Sequence, residues 1–236
     1  REGIMLRRTK QEVLPELPDK RRLVQEIDTD SALYRSMMQP VLKDLARWYE
    51  DKALTPSERA LLEGNISQGA RQATGLAKAP YVAQFVRALV DSGEKVLLFA
   101  HHHQVMDLYK KELRTLSPAF ITGRETGTQK EKSVERFMQG RTDLCCISLR
   151  SPAVHSQAED RAHRIGQKDS LLCYYLVAPE GSDADIQDAL GLKVSQFMGL
   201  MGATPSGGDP NTVDAHYARR HVEKLLERWL ERFPGV

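Results

Sequence analysis

The sequence predicts an α/β protein in which a parallel sheet is covered by helices on both faces. Short, continuous apolar runs, such as KVLLFA at 95–100, alternate along the chain with amphipathic stretches of helical length. A continuous apolar run is typical of a strand that is buried on both faces, as in parallel sheets. Strands that alternate with helices indicate βαβ units. The predicted strands are residues 95–100, 119–122, 144–149 and 171–177.

The first third of the chain predicts an extended segment followed by two helices. Two prolines in LPELPDKRR favour an extended connector over residues 1–30. From Ser31 onwards, apolar residues recur every three or four positions, which indicates an amphipathic helix. Thr55, Pro56 and Glu58 have the order of an N-cap, a first-turn proline and a capping-box acid. A second helix is therefore expected to start there and to continue into the seventies.

The other helices are predicted between the strands and near the C-terminal end. They are residues 80–91, 104–116, 128–138, 183–201 and, after a stretch rich in Gly, Pro and Ser, about 213–232. This pattern divides the chain into four parts, which are a connector (1–30), a helical protrusion (31–77), an α/β lobe (78–203) and a linker with a C-terminal helix (204–236).

The composition restricts the classes of function. The chain has 34 Lys and Arg against 32 Asp and Glu, so its net charge is only +2 and any contact with nucleic acid must come from a local patch. No apolar run approaches the roughly 20 residues that a membrane-spanning helix needs, so no membrane partner is expected. Three cysteines, two of them adjacent, disfavour a disulfide framework and favour an intracellular protein. The chain does not start with Met, and we interpret it as part of a longer protein.

The segment QAEDRAHRIGQ at 157–167 carries the strongest chemical signal. Arg161 and Arg164 are three residues apart, a spacing that places both guanidinium groups on one face of a helix. Two guanidinium groups at a fixed separation suit a polyphosphate, because each can bind phosphate oxygens bidentately. On spacing alone, the alternative is a solvated helix with surface arginines.

The wording of this segment resembles motif VI of the SNF-type (Swi/Snf-like) DNA-translocating ATPases, within superfamily two of the helicases. Further segments carry the resemblance over about residues 1–200. They are MLRRTK at 5–10, LPDK at 17–20, GLAK at 75–78, KVLLFAHH at 95–102 and the strand at 171–177 with GSD at 181–183. The FAHH wording is closest to the annealing-helicase (HARP-like) branch of the family.

The resemblance implies that the chain is the second, C-terminal RecA-like lobe of an ATP-dependent double-stranded-DNA translocase. Arg161 and Arg164 would be arginine fingers that reach ATP on the first lobe, and Gln157, Gly166 and Gln167 would lie at the same interface. ATP and Mg²⁺ would be bound mainly by the first lobe, since the sequence contains no G-x-x-x-x-G-K-[ST] phosphate loop. The chain alone is therefore expected to be inactive as an ATPase.

The same resemblance implies DNA contacts after two of the predicted strands. His101 and His102 follow the strand at 95–100 and would lie near the DNA backbone. Thr122, Gly123 and Thr128 would offer backbone N–H groups to a phosphate. The expected partners are double-stranded or branched DNA and the first lobe, in the nucleus of a eukaryote or in the cytoplasm of a bacterium or virus-infected cell.

The histidine run at 101–103 also raises the question of a metal site. Consecutive residues at the end of a strand point in different directions, whereas metal ligands must converge on one point. No Cys or acidic residue has a suitable spacing nearby. We therefore predict no metal site.

The junction between Arg150 and Ser151 departs from the pattern. Parallel strands need a crossover of a dozen or more residues, and family members carry a Gly-rich motif V and another strand at this place. We interpret the junction as a missing segment, which is either deleted or, as we favour, mobile and left out of the sequence as read. Two rival interpretations stay open, which are a strand-separating helicase of the same superfamily and a non-catalytic module that docks on DNA or protein.

Overall fold

The structure is a computed structural model that describes residues 20–149, 170–179, 181–183 and 210–232. The connector before Lys20, the segment 150–169 and most of the predicted helix at 183–201 lie outside these residues. Along the described chain the elements are β1 (Lys20–Glu26), α1 (Ser31–Glu50), α2 (Pro56–Asp91), β2 (Val96–Ala100), α3 (His103–Glu112), a 3₁₀ turn (Arg114–Leu116), β3 (Ala119–Ile121), α4 (Gly127–Met138), β4 (Leu144–Ser148), β5 (Leu171–Val177) and α5 (Pro210–Arg232).

The helix starts follow from local capping chemistry. The Asp30 carboxylate accepts hydrogen bonds from the backbone N–H groups of Ala32 and Leu33, which fixes the start of α1. Thr55 and Glu58 form the predicted capping box at the start of α2. Both predicted starts are confirmed.

Helix α2 runs without a break through Pro80, whereas the sequence predicted two helices that meet near this residue. A proline inside a helix costs about 3 kcal/mol, because it removes one backbone hydrogen bond and crowds the preceding turn. Leu76, Val82 and Val86 flank the proline and are buried, with at most 8% of each residue exposed. Each such side chain contributes about 1.5–3 kcal/mol on burial, so packing outweighs the proline.

The described strands form two parallel sheets. One sheet has three strands in the order β2–β4–β3, and the other pairs β1 with β5. The parallel direction of the strands is as predicted. Strand β1 was not predicted, because its two neighbouring prolines and its basic residues suggested a connector. Its pairing from Lys20 opposite Leu171 to Glu26 opposite Val177 supplies the backbone partners that the local sequence did not reveal.

Two hydrophobic clusters hold the elements together. The first joins α2 and α3 to the sheets and includes Val82, Leu98, Met106 and Leu144, with Leu176 of β5 packed against it. The second joins α1, α2 and α5, and its buried members are Met38, Val41, Leu45, Trp48, Leu62, Ile66, Ala70, Ala73, Val222 and Leu225. Helix α2 thus belongs to both clusters, and it connects the α/β part to the helical part. None of the described helices is long and apolar enough to cross a membrane.

Candidate nucleic-acid interface and motor site

The carboxyl ends of the three strands of the larger sheet meet at one edge. Because β2, β3 and β4 are parallel, the residues that follow them lie at the same end of the sheet. The Nδ1 atom of His101, after β2, lies 2.7 Å from the carbonyl oxygen of Leu149, after β4. The Ser148 hydroxyl donates to the carbonyl oxygen of His101 at 3.4 Å. We call this end of the sheet, with the loops at 101–103 and 122–126, the carboxyl edge.

The hydrogen bond of His101 fixes which ring nitrogen can meet a ligand. A carbonyl oxygen only accepts, so Nδ1 of His101 donates to Leu149. In the neutral ring, Nε2 is then an acceptor. A phosphate oxygen also only accepts, so a direct contact between His101 and a DNA phosphate requires the protonated ring.

His102 occupies a more enclosed position. Its Nε2 atom is buried and has no hydrogen-bond partner. Burial, with the nearby charges of His101 and Arg71, lowers the pKa of His102 to about 4. The ring is therefore neutral at pH 7, and its Nε2 is turned away from solvent.

The backbone groups of Thr122 and Gly123 already have an anionic partner within the chain. The Glu125 carboxylate accepts from the N–H of Thr122 at 2.7 Å and from the N–H of Gly123 at 3.1 Å. It also accepts from the Thr122 hydroxyl at 2.8 Å. Partial burial opposes ionisation of Glu125, but these hydrogen bonds outweigh it and lower the pKa of the carboxyl group. A carboxylate thus occupies the place where the sequence suggested a phosphate.

Helix α4 begins one residue earlier than predicted. Thr126 is the N-cap, and its hydroxyl and backbone form a capping box with Gln129. Thr128 therefore lies within the first turn of the helix. The first turn faces the same edge of the sheet as the loop that follows β3, because α4 begins directly after that loop.

Arg124 is a cationic residue of the carboxyl edge that the sequence reasoning missed. Its Nη1 atom lies 2.7 Å from Oδ1 of Asp107 on α3. The side chains are 52% and 57% exposed. An exposed ion pair of this kind contributes about 0.2–1 kcal/mol, so it is easily exchanged. The signal in the sequence was an arginine in the loop directly after a parallel strand.

The end of β5 is anchored to α2 by a partly buried ion pair. Lys78 Nζ donates to Asp183 Oδ2 at 2.6 Å and to the carbonyl oxygen of Leu176 at 2.8 Å. The same carboxylate oxygen accepts from the backbone N–H of Ala178 at 2.7 Å. These bonds fix the chain on both sides of the turn that follows β5.

His221 of α5 completes this anchor. Its two ring nitrogens lie 3.0 Å from the hydroxyl oxygens of Ser67 on α2 and Ser182 after β5. The backbone N–H of Ser182 donates to the Thr74 hydroxyl at 3.1 Å. Burial of His221, with the charges of Arg71, Arg228 and Lys224, lowers its pKa to about 3. Three separate parts of the chain therefore share one buried polar network.

The predicted ATP-facing residues Gln157, Arg161, Arg164, Gly166 and Gln167 lie outside the described residues. Their sequence position is directly before β5, which begins at Leu171. Among the described residues, no group of His, Cys, Asp and Glu side chains converges closely enough to hold a metal ion.

The arrangement of the strands and helices is that of an SNF2-type ATPase lobe. The C-terminal part of the Fun30 ATPase domain matches with a TM-score of 0.60 and 14% sequence identity, over 89% of this chain and 99% of that one. The Sulfolobus solfataricus SWI2/SNF2 ATPase core in complex with dsDNA matches with a TM-score of 0.61 and 18% identity, over 84% of this chain and 50% of that one. The chain therefore has the fold of the C-terminal RecA-like lobe of these ATPases, as predicted.

The sequence relatives are SWI/SNF-related proteins and an annealing helicase. The chain is 27% identical to "SWI/SNF-related matrix-associated actin-dependent regulator of chromatin subfamily A-like protein 1" of Xenopus tropicalis, over 92% of this chain and 25% of that protein. It is 30% identical to the Drosophila melanogaster protein of that name, over 79% of this chain and 27% of that protein. Human "DNA annealing helicase and endonuclease ZRANB3" is 28% identical over 74% of this chain and 18% of that protein. No family model matches the chain.

These relationships confirm the resemblance to the SNF-type superfamily-two proteins and to their annealing-helicase branch. The chain spans about a quarter of the length of the first two relatives. The match to the Xenopus protein extends over 245 residues, which exceeds the 236 residues of this chain although only 92% of it is matched. That relative therefore contains residues within the matched region that this chain lacks.

Proposed function

We propose that the chain is the C-terminal lobe of an ATP-dependent double-stranded-DNA translocase that remodels chromatin or replication forks. The observation that carries the proposal is the relationship to the Xenopus SWI/SNF-related protein over 92% of the chain. The fold match to the C-terminal part of the Fun30 ATPase domain supports it. Since the sequence relatives named above are from eukaryotes, we propose a nuclear location.

Arg161 and Arg164 supply positive charge to ATP in this proposal. Mg²⁺ and the phosphates are held mainly by the first lobe, and closure of the two lobes brings both guanidinium groups to the γ-phosphoryl group. Their role is to stabilise the charge that develops as water attacks and ADP leaves, an effect that is worth about 10³–10⁵ in rate for arginine fingers. Gln157, Gly166 and Gln167 shape the same interface. Opening and closing of the lobes then advances the duplex without separating its strands.

The anchor on β5 supports this mechanism. The segment 157–167 leads into β5, and β5 is fixed to α2 through Lys78 and Asp183 and to α5 through Ser182 and His221. An arginine finger must be held within a fraction of an ångström to be effective. A rigid attachment of the following strand meets this need.

DNA binds at the carboxyl edge in this proposal. A relative in fold is in complex with dsDNA. His101 lies in a loop at this edge, and Thr128 lies in the first turn of α4, which begins directly after the loop at 122–126. Contacts to phosphates do not depend on the base sequence, and they weaken with salt.

A second candidate function is a non-catalytic module that docks on DNA or on a protein. The observation that favours it is the direct junction at 150–151, together with the separation of the described strands into two sheets. A missing core strand would divide one sheet in this way, and without motif V the coupling between ATP and DNA would be lost.

The proposal is tested by ATP hydrolysis in a polypeptide in which a first lobe precedes this chain. We expect duplex DNA to stimulate turnover, and Arg164→Ala to reduce the stimulated rate at least about 10³-fold. Arg219→Ala, on the exposed face of α5, is the matched control and should leave the rate unchanged. Equal rates with and without duplex DNA would favour the docking module, and an Arg164→Ala variant that keeps the stimulated rate would contradict the proposed role of Arg164.

A further inference from the structure

The carboxyl edge contains a cation that is held ready by a carboxylate. We propose that Arg124 is a DNA-phosphate ligand and that Asp107 is its internal stand-in for the phosphate, displaced when the duplex binds. The inference rests on the proposed function, because it names the residue through which the lobe binds the phosphate backbone of DNA.

The backbone N–H groups of the loop at 122–126 already have a hydrogen-bond acceptor within the chain. The Glu125 carboxylate binds the N–H groups of both Thr122 and Gly123, and hydrogen bonding keeps it ionised. A phosphate would have to displace this carboxylate from three hydrogen bonds. The loop therefore needs another donor if it is to bind DNA.

Arg124 meets this need through its position. It is the one basic residue between Ala119 and Thr128, and it follows β3 at the edge where His101 follows β2. Its side chain is more than half exposed, so a ligand as large as a duplex can approach it. Guanidinium groups bind phosphate oxygens as they bind carboxylate oxygens, with two parallel hydrogen bonds.

Asp107 is the anionic partner of Arg124 when no DNA is bound. It lies on α3, 2.7 Å from Arg124, and it holds the guanidinium group over the edge in the absence of DNA. Both groups are solvated, so replacing the carboxylate by a phosphate exchanges one exposed anion for another. The pair thus fixes the direction of Arg124 and also competes with DNA for it.

This competition gives the two residues opposite effects on DNA affinity. Loss of Arg124 removes one phosphate contact, which lowers the affinity and reduces the dependence of log K on log salt by about 0.9. Loss of the Asp107 charge removes the competitor and one repulsive anion, which raises the affinity. A residue that only stabilises the loop would not produce opposite signs.

The test is a titration of the 236-residue chain into a short, labelled, mixed-sequence duplex. Binding is measured by fluorescence anisotropy at several salt concentrations. We expect Arg124→Ala to weaken binding about three- to tenfold and Asp107→Asn to strengthen it about two- to fivefold at low salt. Arg219→Ala and Glu223→Gln are the matched controls, because they remove the partners of another exposed ion pair, on α5. These controls should stay within about twofold of the unchanged chain.

The outcomes separate this inference from the proposed function. If the unchanged chain binds the duplex while Arg124→Ala and Asp107→Asn behave like the controls, the inference is wrong and the proposed function stands. If Asp107→Asn weakens binding as much as Arg124→Ala does, the pair is structural and the inference is wrong. If the unchanged chain does not bind the duplex, both fail. The unfolding temperature of each variant confirms that these exposed changes leave the fold intact.

Discussion

At the scale of single residues, the buried polar network around His221 has the clearest physical consequence. The ring accepts or donates to hydroxyl groups on two other parts of the chain. Its burial and the positive charges of Arg71, Arg228 and Lys224 oppose protonation and lower its pKa. The neutral ring is the form that holds α5, α2 and the turn after β5 together.

This environment predicts a loss of stability in acid. The pKa of His221 is about 3 in the folded chain and about 6.5 when the chain is unfolded. The contribution of His221 is therefore complete above pH 6.5 and is lost as the pH falls from 6.5 towards 3, by at most about 1.4 kcal/mol per pH unit. Chemical denaturation of the chain at several pH values measures this slope.

The variant His221→Asn isolates the effect of His221. The amide can keep one hydrogen bond but does not titrate, so the variant should be less stable at pH 7 and should show a shallower decrease in acid. The lowered pKa of His102 acts in the same direction, and it leaves a residual slope in both proteins. An unchanged slope in His221→Asn would contradict the network.

Residue by residue, the sequence predicted capping better than surface chemistry. Asp30 was not singled out, but Thr55 and Glu58 were, because a capping box depends only on neighbours three positions apart. Arg124 and Asp107 are 17 positions apart, and His221 and Ser67 are 154 apart. Pairings of that kind arise from the packing of separate elements, which the local pattern does not contain.

At the scale of elements, α2 is the organising feature. Its 36 residues run from Pro56, directly after the N-cap Thr55, to Asp91, and its buried residues belong to both hydrophobic clusters. The sequence placed a boundary between the helical protrusion and the α/β lobe at 77–78, which lies within this helix. A continuous helix is a stiff connection, so we expect the protrusion to move with the lobe rather than against it.

Pro80 provides a direct test of the packing account of α2. Replacing it by alanine restores a backbone hydrogen-bond donor and removes the crowding of the preceding turn, while the flanking apolar residues stay buried. Pro80→Ala should raise the free energy of unfolding by about 1–3 kcal/mol, as measured by urea denaturation. Pro40→Ala, at the interior proline of α1, is the matched control, because the Pro40 ring is exposed although its neighbours Met38 and Val41 are buried. A destabilised Pro80→Ala variant would show that the proline ring itself is needed for packing.

The sequence predicted those strands well that have a continuous apolar run. It predicted poorly those features that depend on the pairing of distant strands. The strands at 95–100, 144–149 and 171–177 were found within one residue, because continuous apolar runs of that length are typical of strands. Strand β5 is less buried than its apolar run indicates, since Leu172 is exposed. Strand β1 was missed because KRRLVQE has no such run and depends on β5 for its backbone partners. The division into two sheets is likewise a matter of pairing.

At the scale of the whole molecule, packed elements connect the strand that follows the proposed ATP-facing segment to the proposed DNA-facing edge. The proposed arginine fingers lead into β5, β5 is anchored to α2, and α2 packs against α3 and β2, from which the carboxyl edge continues. ATP-driven closure on a first lobe would then move the DNA-facing edge as a unit. That chain of contacts is what a translocase requires and what a passive docking module does not.

Triplex displacement measures whether ATP drives this lobe along a duplex. A polypeptide in which a first lobe precedes this chain is given a duplex that carries a third strand, and release of that strand is followed with and without ATP. We predict ATP-dependent release of the third strand while the two strands of the duplex stay paired. The variants Arg161→Ala and Arg164→Ala should both be inactive in this assay. Release that is independent of ATP, or separation of the duplex itself, would contradict this prediction.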